Sequence, residues 1–78
     1  MHGFVEEGIA RGFLQQDDPK KPLMVMIGIH APIFFIDRDN PNLSEWVAII
    51  EESRRKQEMV RFTYDVGSQR LTALELKK

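Results

Sequence analysis

The chain of 78 residues contains no cysteine. That absence excludes a disulfide staple and a thiolate metal site. Small domains without such staples often gain stability by associating. The chain also has no charge imbalance: 11 Lys and Arg face 12 Asp and Glu, for a net charge of −1. A protein held to nucleic acid by electrostatics alone is therefore not expected, although a local basic patch remains open. No apolar run is long enough to span a membrane. The uncharged part of "PLMVMIGIHAPIFFID", Pro22 to Ile36, stops short of the roughly 20 residues a span needs, and His30 and Pro32 interrupt it. The start, "MHGFVEEGIARG", is acidic early and alternating where a secretory leader would show a basic region. The expectation is a soluble chain with no membrane partner and no compartment assigned. Its length allows one domain, residues 1–78, with no room for a second core. Such a domain buries only about 60% of its unfolded surface, so its stability margin is small.

What is present divides into six segments. Phe4 to Leu14 reads as a strand, with Gly8 and Gly12 marking a bulge or bend inside it. "QQDDPKKP" is a polar loop with two prolines. Leu23 to Ile29 and Ile33 to Ile36 are strands joined by His30, Ala31 and Pro32, and Pro32 must sit where no ladder donor is needed. After Asp37 the period changes. Leu43, Trp46, Val47 and Ile50 follow the i, i+3, i+4, i+7 spacing of one helical face, and Asn42 with Glu45 resembles a capping box. Arg54, Arg55 and Lys56 close that helix, as its dipole favours. Met59 to Asp65 alternates as a half-buried strand, "VGSQ" turns, and Arg70 to Leu76 alternates again.

The order strand, strand, strand, helix, strand, strand matches the five-stranded Greek-key barrel called the OB-fold, with its helix between the third and fourth strands. The glycines of the first strand suit a strand that must curve through the barrel. The alternative is an open α+β sheet with one helix packed on a face. The segment "FFIDRDNPNLSEWVAIIEESRRKQEMVRFTYD" points the same way. Its paired Phe34 and Phe35, its Asp37, its Asn40-Pro41-Asn42 before the helix and its strand after a basic turn resemble small OB-fold proteins related to the B subunits of subtilase-type bacterial toxins. The chain departs from that pattern at Leu43, where an aromatic is usual, and in lacking a cysteine pair. The resemblance implies a ring-forming, non-catalytic subunit that binds glycans or carries a partner. It carries over no binding residue.

Chemistry-bearing residues are sparse. Asp37, Asp39 and Asn42 fall short of a calcium loop, because Pro41 occupies a ligand position and Asn42 the glycine position, so a helix start explains them better. Ser44, Ser53 and Ser68 with His2 or His30 lack any nucleophile signature, and two distant histidines make a poor metal site. The expectation is a non-enzymatic protein without cofactor or metal. An OB-fold would present Lys20, Lys21, Ser68 and Arg70 from its first and last strand loops, and Phe34 or Phe35 as a stacking platform for single-stranded nucleic acid. Asp17 and Asp18 offset the two lysines, which makes nucleic acid the less favoured ligand.

The apolar stretch is greasy on both strand parities. Leu23, Val25, Ile27 and Ile29 can line a barrel, which leaves Met24 and Met26 facing out. Methionines adapt well at interfaces, and an exposed patch of this kind marks association. The candidate self-association face is Met24, Met26, Phe34 and Ile49, with Phe34 and Phe35 exchangeable by a one-residue register slip. The expected protein is a self-associating binding module whose loops meet a glycan or protein partner.

Overall fold

The computed structural model describes residues 3–14, 18–30 and 32–77. Five strands and one helix follow in the expected order: β1 Gly3–Phe13, β2 Leu23–Ile27, β3 Ile33–Ile36, α1 Leu43–Lys56, β4 Met59–Asp65 and β5 Leu71–Leu76. The strands form one open antiparallel sheet ordered β3-β2-β1-β4-β5. A lone parallel bridge joins Phe35 to Arg70, where the Phe35 N–H donates to the Gln69 carbonyl at 2.9 Å. Helix α1 packs on the sheet through Trp46 and Ile50, two residues of the face predicted from spacing. No described helix is long and apolar enough to cross a membrane.

β1 is the central strand and changes partner along its length. Gly3 to Ile9 pairs with β4, and Ala10 to Phe13 pairs with β2. The change coincides with a bulge between Ala10 and Gly12. Gly12 has φ +125°, and a Cβ there would meet Cδ of Arg54 at 3.3 Å, so both backbone and space select glycine. The bend expected from the glycines of this strand is thus located at the second of them.

Three local expectations are corrected. β2 ends at Ile27, because Gly28 turns the chain at φ +108° and Ile29 is left 89% exposed, outside the inward-facing set. β5 does not alternate strictly. Its ladder with β4 shifts between Thr63, opposite Ala73, and Tyr64, opposite Leu71, so Leu71 and Leu74 both reach the core across odd spacing. The capping box does not form: Asn42 sits at φ −99°, ψ 13° without a side-chain cap. Instead the Asn40 Oδ1 accepts from the Asn42 N–H at 2.8 Å, two residues earlier than predicted.

Ser53 is the buried polar residue among the described core. Its hydroxyl accepts from the Ala10 N–H at 3.0 Å and donates to the Glu58 carbonyl. Its own carbonyl accepts from Gln57, in the left-handed region at φ 58°, and from Glu58 at 3.1 Å. One residue therefore ties the helix C-terminus, the following turn and the switching point of β1 together. Replacing Ser53 by Ala leaves a buried amide without an acceptor and should destabilise the fold by about 1–3 kcal/mol. Urea unfolding would measure this, and an unchanged midpoint would refute the role assigned to the hydroxyl.

On the outer face of the sheet, Glu7 lies opposite Arg61 and meets its Nη2 at 2.9 Å and the Lys77 Nζ at 2.7 Å. The Lys77 hydrogen bond, then that of Arg61, hold the Glu7 carboxyl below its ordinary value of 4.5. A folded pKa lowered in this way contributes stability above the ordinary value and loses it as pH falls through the depressed one. The stability advantage of the native chain over Glu7→Gln should accordingly shrink on acidification below 4.5. Thermal melts of both chains across acid pH would show parallel curves if the contribution is absent.

Candidate binding face

The β2–β3 ladder decides which side chains point outward. Leu23 lies opposite Ile36 and Val25 opposite Phe34, while Met24 lies opposite Phe35 and Met26 opposite Ile33. Residues directly opposite each other share a face. Val25, Phe34 and Ile36 are buried, so Met24, Met26, Phe35 and Ile33 form the outer face. Ile33 is 40% exposed there, and Met24, Met26 and Phe35 are half-buried.

Two members of the candidate association face lie elsewhere. Phe34 is 1% exposed, with its ring centroid 4.9 Å from Phe62 and 4.8 Å from Tyr64. Phe35 takes the outward place. Ile49 is half-buried against the core. The methionines hold their predicted parity, and the register that sequence left open is settled by this pairing.

The loops at one end of that face are joined. Asp18 organises the β1–β2 loop: its Oδ1 accepts from the Lys20 N–H at 2.9 Å and its carbonyl from the Lys21 N–H at 3.3 Å. The Lys21 carbonyl in turn accepts from the Arg38 Nε. On the other side Arg70 Nε lies 3.3 Å from the Asp37 Oδ1. Adjacent residues 37 and 38 thus tie the loop before β2 to the turn before β5. Ser68 is engaged within its own turn, donating to the Asp65 Oδ2 at 2.8 Å and accepting from the Arg70 N–H at 3.3 Å. The structure ties Lys21 to Arg38 and Arg70 to the adjacent Asp37, with Lys20 next to Lys21 in the Asp18 turn, while Ser68 shapes its own turn. Arg38 was missed because "DRDNPN" reads as the approach to a helix.

The remaining candidates are separate. His30 is an exposed turn residue with no hydrogen bond among the described residues. His2 and Asp17 lie outside the described residues. The described part is therefore a one-helix β module with an outward apolar face, bordered by three cation-bearing loops. Compared with protein-family models, curated proteins and solved structures, the chain matches none.

The loop latch makes a separable prediction. Arg38→Ala should change global stability by less than about 1 kcal/mol, as expected for exposed polar contacts. It should nonetheless speed amide exchange at Lys21 and in the turn from Ser68 to Arg70. Unchanged exchange in both loops would show that residues 37 and 38 do not couple them.

Proposed function

We propose that this chain is a non-enzymatic OB-like binding module. It self-associates through the outer β2–β3 face and presents its cation-bearing loops to a glycan or a protein partner. The observation that carries this reading is the juxtaposition of Met24, Met26, Ile33 and Phe35 with loops tied through Asp37 and Arg38. Barrel closure is part of the proposal. It is supported by the Phe35–Arg70 bridge, which joins the first and last members of the strand order by the parallel pairing that closure requires. The non-enzymatic reading is supported by the commitments of two serines, since Ser53 and Ser68 hydroxyls both serve the fold.

Magnitudes favour association that depends on concentration. Full burial of a Met, Ile or Phe side chain is worth about 1.5–3 kcal/mol. Four side chains losing half of that exposure contribute about 3–6 kcal/mol per copy. Rigid-body association costs about 4–15 kcal/mol, so two such faces together are near balance and respond to mass action.

Light scattering over a wide concentration range tests this. The native chain should form multimers that Met24→Glu or Met26→Glu weakens, because a carboxylate would be buried in the contact. Neutralising Lys20, Lys21 and Arg70 should leave the assembly intact. Single-stranded nucleic acid is the competing ligand, favoured by an outward Phe35 beside those cations. Saturable oligonucleotide binding at low salt, weakened by the same neutralisations, would replace the glycan or protein reading.

A further inference from the structure

The change of partner in β1 leaves half of one strand edge open. Backbone directions identify its hydrogen-bonding groups. Along a strand, successive residues send their N–H and C=O to alternate sides. The Met59 carbonyl accepts from the Lys77 N–H, so Met59, Arg61 and Thr63 face β5, and Val60, Phe62 and Tyr64 face β1. Their opposite residues Gly8, Glu6 and Phe4 therefore face β4. The Ile9 carbonyl points the other way, where it accepts from the Gly28 N–H at 3.0 Å. The β1–β4 register runs from Gly3 to Ile9 without a bulge. Val5 and Glu7 consequently direct N–H and C=O into the open edge, with no backbone partner among the described residues.

The space beside the Glu7 end of this edge is free. A groove of about 870 Å³ runs between β1 and the β2–β3 turn, with Glu7, Ile9, Gly28 and Pro32 on its walls. Phe4 and Val5, on opposite faces of the strand, are 55% and 62% exposed. An open edge flanked by exposed apolar side chains is a template for strand pairing.

We propose that this edge pairs with the same edge of a second copy, antiparallel about a two-fold axis through Val5. Hydrogen bonds can be exchanged only between residues that face the edge, which limits the register to Val5 and its alternate neighbours. Centred on Val5, the pairing sets Phe4 opposite Glu6 of the second copy, and Gly3 opposite its Glu7. No carboxylate then faces another, and Glu7 is already neutralised by Arg61 and Lys77. A shift toward Glu7 sets Glu6 against Glu6 of the second copy, a destabilising like-charge pair. A further shift calls on Ile9, whose carbonyl is already engaged by Gly28. The opposite shift sets Phe4 against Phe4 of the second copy and, among the described residues, pairs only Gly3 to Val5. Among the described residues, charge and backbone occupancy therefore favour the register centred on Val5, which is self-complementary as a closed two-fold contact requires.

This contact is distinct from the β2–β3 face, and the experiment separates them. In the full chain carrying Met24→Glu, light scattering should report twice the chain mass, held by the β1 edge alone. Adding Val5→Lys should give a monomer, because Val5 meets its own copy across the axis. Val5→Glu should do the same. Mixing the Lys and Glu variants should restore the dimer, and this rescue also shows that both still fold. Val5→Pro should give a monomer too, because it removes only an outward N–H and leaves the β4 ladder whole. A monomeric Met24→Glu chain at millimolar concentration would overturn the proposal, as would a dimer that survives Val5→Lys. Failure of the mixture to re-form the dimer would overturn the two-fold register. If Met24→Glu has no effect on a native dimer that Val5→Lys dissolves, the β2–β3 association fails while this inference stands.

Discussion

The sheet and helix hold together at the buried hydroxyl of Ser53. β1 must leave β4 at Ile9 and join β2 at Ala10, and every such change of partner strands a backbone group. Here the stranded group is the Ala10 N–H, which faces β4 just past the end of that ladder. The Ser53 Oγ accepts it at 3.0 Å and its O–H donates to the Glu58 backbone carbonyl. The helix C-terminus is thereby fixed beneath the bend, where Arg54 fills the space that only a glycine at position 12 leaves open. In a domain with a stability margin on the order of 5 kcal/mol, one unsatisfied amide at this point is a large fraction of the whole.

Much of this architecture was legible from periodicity because burial and period coincide in it. The helical spacing of Leu43, Trp46 and Ile50 survives as the packed face of α1, and the alternation of Val60 and Phe62 survives as the inward face of β4. Where the reading failed, a single residue had reset the phase. Gly28 ends β2 before Ile29 can point inward, and the bulge opposite Thr63 and Tyr64 lets Leu71 and Leu74 share a face. Phe34 and Phe35 are chemically identical neighbours, so no local signal separates them. The pairing of Val25 with Phe34 does, and it is a long-range fact.

The candidate site was legible in composition and not in connection. Lys20, Lys21 and Arg70 stand out in loops because they are charged residues beside turn formers. What joins those loops is the pair Asp37 and Arg38, whose side chains engage two different loops from one bend. In sequence that pair belongs to the approach to the helix, and its spatial role depends on where β3 ends relative to two distant loops. Ser68 shows the converse: a hydroxyl in an exposed turn looks available, yet local geometry commits it to Asp65 and Arg70.

The apolar stretch from Pro22 to Ile36 now divides into two physical problems. Its inward parity is answered within the chain, by Phe62, Trp46 and Ile50. Its outward parity is only half covered, and the single helix is already spent on the other side of the sheet. The open edge of β1 is a third surface of a different kind. On the β2–β3 face, free energy comes from side-chain area and is indifferent to register. On the β1 edge, it comes from directional backbone groups, and charges at Glu6 and Glu7 discriminate between registers. A face of the first kind tolerates many partners, whereas an edge of the second kind selects its own copy. For a small, unstapled domain, occupying either surface stabilises the native state by mass action. In the proposed assembly, folding and association are linked through the same strand, because the bend that Ser53 holds in place is also what leaves the edge of β1 open.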